Sequence, residues 1–160
     1  MKVFAPVAVL AALVLAASAA AFTVASTDGT LTVKNGIAKI QFQGKGGVIG
    51  RLAKGQVTIK DPDPSDGTGP IVTGADAVDV LSDTTTRYRG NDIRFRIIGG
   101  RMTVTVDASG IDLSAIGSGG VRIDGRGTSD DGSWALNGAP PQKIPDSSLW
   151  LALGNIPSAG

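Results

Sequence analysis

The chain has 160 residues and contains no histidine, no cysteine and no glutamate. Without histidine it has no side chain that ordinarily titrates near neutral pH and can serve as a general base. Without cysteine it has no thiolate nucleophile, no disulfide and no lipid-modified cleavage site. The two absences together remove the usual zinc ligands. The lack of glutamate removes both the raised-pKa acid of many hydrolases and a strong helix former. Aromatic residues are few, with two Trp, one Tyr and four Phe, which is thin for stacking platforms on sugars. What the chain has instead is 23 Gly and 14 acidic residues, every one of them Asp.

The N-terminus reads as a targeting segment. Lys2 supplies a short positive region, Val7 to Ala17 is unbroken apolar chain, and small residues follow at Ala17-Ser18-Ala19 and Ala19-Ala20-Ala21. That order marks residues 1–21 as a signal peptide, drawn as a helix and cleaved after Ala19 or Ala21. The alternative is an uncleaved anchor, because Val3 to Ala25 carries no charge and about 20 apolar residues span a bilayer. The expected location is therefore secreted or cell-surface, with membrane contact only if the segment is kept. Without Lys2 the basic and acidic residues balance, so no global field draws the domain to nucleic acid or anionic lipid.

The body, residues 28–153, reads as one β-domain with a frayed tail at 154–160. Val, Ile and Thr alternate with polar residues between closely spaced Gly, Asn and Asp. Thr30–Phe42 suggests a hairpin about Asn35-Gly36, pairing Val33 with Ala38 and Leu31 with Ile40. Asp92–Ile98 and Arg101–Asp107 suggest a second about Gly99-Gly100, which would set Asp92 against Asp107. Further strands are expected at Val48–Ala53, Gln56–Lys60, Ala77–Leu81, Thr85–Arg89, Val121–Asp124, Trp134–Leu136 and Leu149–Leu153. Ile111–Ile116 fits a strand or a helical turn. The fold class is all-β: an antiparallel sandwich, or alternatively a barrel. A faint repeat runs through it. Leu31-Thr-Val-Lys precedes Gly44-Lys-Gly-Gly-Val48, and Val104-Thr-Val-Asp precedes Gly117-Ser-Gly-Gly-Val121.

Several motifs reduce to turns. Asp61-Pro-Asp-Pro-Ser-Asp-Gly67 starts like a calcium loop, but Asp66 stands at the glycine position and Val72 where a bidentate Glu is needed. Gly44–Gly50 and Gly117–Gly120 miss the dinucleotide fingerprint and lack the helix that would meet a phosphate. No metal or cofactor is expected. No Ser-x-x-Lys occurs. A paired-Asp enzyme acting on polysaccharide or peptide, on Asp92 with Asp107 or Asp124 with Asp130, would need a separation that sequence does not set.

The most plausible functional surface is the arginine cluster Arg87, Arg89, Arg94, Arg96 and Arg101, which alternates onto strand faces and can grip carboxylates or phosphates. The plainer reading is a solvated face balanced by Asp83, Asp92 and Asp107. The expected role is a non-enzymatic envelope module, structural or binding an anionic surface polymer. The alternatives are the Asp-dependent enzyme and a subunit adding strands at an edge near Leu149–Leu153. The segments Asp28–Gly36, Val48-Ile-Gly-Arg-Leu52, Tyr88–Arg96 and Gly110–Ser114 resemble exported β-rich proteins of high-GC Gram-positive bacteria. That group carries no assigned activity, so the resemblance implies no cofactor, partner or site residue.

Overall fold

Alternation of buried and exposed residues runs through two long segments, and these build most of the fold. The computed structural model describes residues 28–128 and 130–154; the expected signal segment and most of the expected tail lie outside them. The elements are β1 (Gly29–Lys60), β2 (Ile71–Thr73), β3 (Ala77–Ser82), β4 (Thr85–Gly125), β5 (Ser133–Leu136), β6 (Gln142–Lys143) and β7 (Leu149–Leu153). There is no helix among the described residues, and Ile111–Ile116 is strand. All seven elements join one antiparallel sheet, ordered β2-β4-β1-β5-β6 with β3 and β7 also on β4. The sheet is not closed, so the barrel alternative is set aside: its runs end at single-sided edges, β3 at one and β7 at another.

β1 and β4 are far longer than ordinary strands, and they pair twice over. Residues 38–45 lie between 101–108 and 118–125, while 47–52 lie between 93–98 and 111–116. Residues 54–60 lie between 85–91 and 103–109. Following partners outward gives two runs of adjacent segments. The first run is 77–82, 85–90, 54–60, 103–108, 38–45, 118–125, 149–153. The second is 71–73, 93–98, 47–52, 111–116, 29–33, 133–136, 142–143. The chain passes from one run to the other at corners rich in glycine.

Both expected hairpins are thereby overturned. Leu31 pairs with Ala115 and Leu136, and Ile40 with Val106 and Ile123. Asn35 does take a left-handed φ of 48°, but Gly36 does not, so the pair makes a corner rather than a tight turn. Gly99 and Gly100 both have positive φ (85° and 74°), yet 93–98 pairs with 47–52 while 101–108 pairs with 38–45. Asp92, at the corner between 85–90 and 93–98, therefore does not face Asp107, which pairs with Lys39 and Gln56. Local turn chemistry specified a change of direction in both places. It did not specify which strand lay alongside, because non-local burial on both long strands decides that.

The repeat has a geometric counterpart. Gly117 lies 73 residues after Gly44, and the same offset carries one set of pairs into another. Gly44↔Gly119 becomes Gly46↔Gly117, Phe42↔Val121 becomes Val48↔Ala115, and Leu31↔Ala115 becomes Phe42↔Val104. The two copies are wound against each other about an approximate twofold. Where they cross, Gly46 and Gly117 share a φ of 146°, and a Cβ on either would strike the carbonyl of Ile116 or Lys45. The Gly-x-Gly-Gly pattern is thus a close backbone crossing.

Inward positions from both runs form one cluster. Leu31, Val48, Leu52, Ile93 and Ile111 of the second run meet Ile40, Phe42, Val57, Val106 and Ile123 of the first, all at 0–1% exposure. Trp134 joins this core at 8% exposure, whereas Trp150 on the edge strand β7 is 68% exposed, with the Arg122 guanidinium 5.3 Å above its ring. Asp131 is the single buried charged residue among those described. Its carboxylate accepts from the N–H groups of Arg126, Gly127 and Thr128 and from the Thr128 hydroxyl, knotting the loop that follows β4.

Candidate functional site

The outward face of the second run carries three cross-strand rows, two residues apart along each strand. One row is Thr73, Arg94, Arg51 and Asp112; the next is Ile71, Arg96, Ile49, Ser114 and Thr32; the last is Ile98, Gly47, Ile116 and Thr30. Lys34 extends the first row, beyond Asp112. A groove of about 500 Å³ opens over the first two rows, and its charged lining is Lys34, Arg51, Arg94, Arg96 and Asp112. Beneath it Gly50 leaves room for the Phe95 ring, which a Cβ would strike.

Arg51 and Arg94 stand directly opposite each other, an arrangement that costs free energy unless an anion intervenes. Asp92 supplies it. This residue sits at a corner with φ 55°, a conformation Asp tolerates better than most residues. Arg51 Nε donates to its carboxylate at 2.6 Å, and Arg94 Nη2 lies 3.6 Å away. The hydrogen bond from Arg51, with the charges of both arginines, holds the Asp92 carboxyl below its usual range. Asp112 accepts the backbone N–H of Asn35 at 3.1 Å. Lys34 and Arg96 make no ion pair among the described residues. Four cations therefore face solvent here against two carboxylates: three guanidinium groups and one ammonium, all carried on β1 and β4.

The five arginines of the sequence cluster are not brought together. Arg94 and Arg96 line the groove. Arg87 and Arg89 lie in the first run, where both pair with Asp79 at 3.2 and 3.0 Å. Arg101 lies across the corner, opposite Lys45, in a second groove of about 520 Å³ that also takes in Lys60. Of the expected balancing residues, Asp92 does the work described, Asp107 pairs with Arg126, and Asp79 takes the place assigned to Asp83. Arg51 and Lys34 were missed because they are distant in sequence. The signal that could have found them is the outward parity of Ile49 and Arg51 within an alternating strand.

The arrangement can bind anions and offers little for catalysis. Asp112 is the one carboxylate lining the groove, whereas glycoside hydrolysis uses two facing across the bond. Asp124 is engaged by Arg122 and Ser148, and Asp92 by Arg51. In Asp61–Gly67 the acidic side chains cap their own turn: Asp61 accepts from the Asp63 N–H, Asp63 from Ser65 and Asp66 from Thr68. The bonds from Thr68 hold the Asp66 carboxyl below its ordinary value. Comparison with protein families, with curated proteins and with solved structures gave no match.

Proposed function

We propose that this chain is a non-enzymatic binding module of the cell envelope, exported by its leader and gripping an anionic surface polymer in the Lys34–Arg51–Arg94–Arg96 groove. The carrying observation is that these four cations share one outward sheet face whose lining holds a single carboxylate. Guanidinium forks meet carboxylates and phosphates in bidentate fashion, and on strands their backbone needs no further ordering on binding. An open groove along strands suits a linear chain better than a small enclosed ligand. The two runs of segments, alternating through glycine corners and sharing one core, fit an antiparallel sandwich wound as a jelly roll, so that the groove lies on the outside of one layer.

The test is retention of the chain on isolated cell-wall polymers at low and high salt. Retention that falls with salt is expected, with a loss of tenfold or more in the Arg94→Gln, Arg96→Gln double variant. Retention unchanged in that variant, or absent at low salt, discards this function.

A further inference from the structure

The same outward face changes character along its strands. Beyond the basic rows stand Ile98 and Ile116, 59% and 53% exposed, on either side of Gly47, which has no side chain to cover them. Ile49 and Ile71, each 55% exposed, continue the patch behind them. Single exposed aliphatics are ordinary, but four on one strand face mark an interaction surface. Cations border it on both sides. Arg96 stands in the row behind, while Lys45 and Arg101, opposite each other in the ladder, lie just past the corner. None of these three makes an ion pair among the described residues.

The chain also enters the domain here. Gly29 pairs with Gly117 and Thr30 with Ile116, so β1 begins beside the isoleucine row. Only three residues separate the uncharged stretch Val3–Ala25 from Gly29, a reach of roughly 13–14 Å even fully extended.

We propose that this corner rests on an anionic lipid bilayer, with the Ile98–Ile116 row entering the interface and Lys45, Arg96 and Arg101 meeting headgroup phosphates. A soluble polyanion would use the cations but gain nothing from the isoleucines; a bilayer surface uses both. A second copy of the chain, docked about a twofold axis, would bring the same three cations against their own kind. Overall charge balance does not oppose the contact, since screening limits the relevant field to about 10 Å.

Every buried side chain among the described residues lies between Leu31 and Leu153, so the chain from residue 22 onward contains the whole core and is the material for the test. It is sedimented with vesicles of phosphatidylcholine, with and without phosphatidylglycerol. Binding is expected on the mixed vesicles and to be about tenfold weaker on phosphatidylcholine alone. Ile98→Ser with Ile116→Ser should lose about tenfold on the mixed vesicles while keeping the parent's thermal midpoint and its polymer retention. Lys45→Gln with Arg101→Gln should abolish the preference for the anionic lipid. Absence of binding to the mixed vesicles, equal binding to both kinds, or full binding by the isoleucine variant would overturn the proposal. Loss of polymer retention in Arg94→Gln, at a residue outside the lipid contact, reports on the groove alone.

Discussion

The two outward faces of the domain are built on the same repeated frame and carry charge in opposite ways. The 73-residue offset that relates the two copies takes Lys34 to Asp107 and Arg51 to Asp124. On the first run these aspartates sit beside cations: Asp107 with Arg126, Asp124 with Arg122, and Lys39 between both in the ladder. Arg87 and Arg89 share Asp79 on the same side. On the second run the equivalent positions are cationic, and Arg94 and Arg96 from the neighbouring segment add to them. The first face therefore sets its cations beside its own aspartates, whereas the second engages Arg51 and Arg94 through Asp92 and leaves Lys34 and Arg96 for a partner. A charge run in sequence becomes a site or a solvated lattice according to its cross-strand neighbour, which the sequence does not show directly.

The comparison depends on the shared frame, and the frame fails first at the corner where the copies cross. Gly46→Val or Gly117→Val places a branched side chain on the opposing backbone at a φ of 146°. The expected cost exceeds about 4 kcal/mol, enough to abolish the folded state and both faces with it. Circular dichroism and a thermal melt check this. A variant that melts normally would mean that the strands do not cross so closely.

The next largest effect concerns the knot that ends the self-neutralised face. Three backbone N–H groups and the Thr128 hydroxyl converge on Asp131, and the hydrogen bond from that hydroxyl leads in lowering its carboxyl below the ordinary range. Asp131→Ala leaves those donors without an acceptor and should lower the thermal midpoint by roughly 5–10 °C. Because the folded carboxyl is the stronger acid, its contribution is complete above the unfolded value near 3.9 and is lost as pH falls through the folded one. Stability of the parent should therefore decline steeply below about pH 4, and the decline should be shallower in Asp131→Ala. Parallel acid profiles for the two proteins would remove this role from Asp131.

Much of this was legible in the sequence, and what was not has a common cause. Every expected strand exists, from Val48–Ala53 to Leu149–Leu153, because alternation of Val, Ile and Thr is a local property. The repeat was visible for the same reason. Pairing was misread at Asn35-Gly36 and Gly99-Gly100 because a tight-turn signature predicts direction only, while β1 and β4 choose each other's residues as partners from 25 (Lys60↔Thr85) to 88 (Gly29↔Gly117) positions away. The site was half legible. Arg94 and Arg96 belonged to a visible cluster, but Arg51 joins them only through the register that sets it opposite Arg94, and Asp79 draws Arg87 and Arg89 away only because β3 folds back on β4.

That separation within the arginine cluster makes a sharper test than removing arginines wholesale. Arg87→Gln with Arg89→Gln removes as much charge as Arg94→Gln with Arg96→Gln, and from the same stretch of sequence. It should leave polymer retention within about twofold, because Asp79 already engages both arginines and they lie outside the groove, and cost less than about 1 kcal/mol of stability as exposed ion pairs do. Equal losses from both double variants would mean that retention follows net charge rather than the groove.

The smallest expected effect runs the comparison in reverse. Asp107→Asn with Asp124→Asn releases Arg126, Arg122 and Lys39 from their anions while leaving the frame intact. Removing exposed ion pairs should shift stability by less than about 1 kcal/mol. Lys39 and Arg122 on strands, and Arg126 just past the end of β4, would then face no carboxylate, as Lys34 and Arg96 already do on the second run. Salt-sensitive retention should rise by about two- to threefold, and Arg94→Gln with Arg96→Gln should no longer eliminate it. A twofold gain that survives loss of the original groove would show that binding needs only unpaired cations in register on a strand face. No gain would place the specificity in the groove's shape, in the Ile49 and Ile71 walls that the other face does not possess.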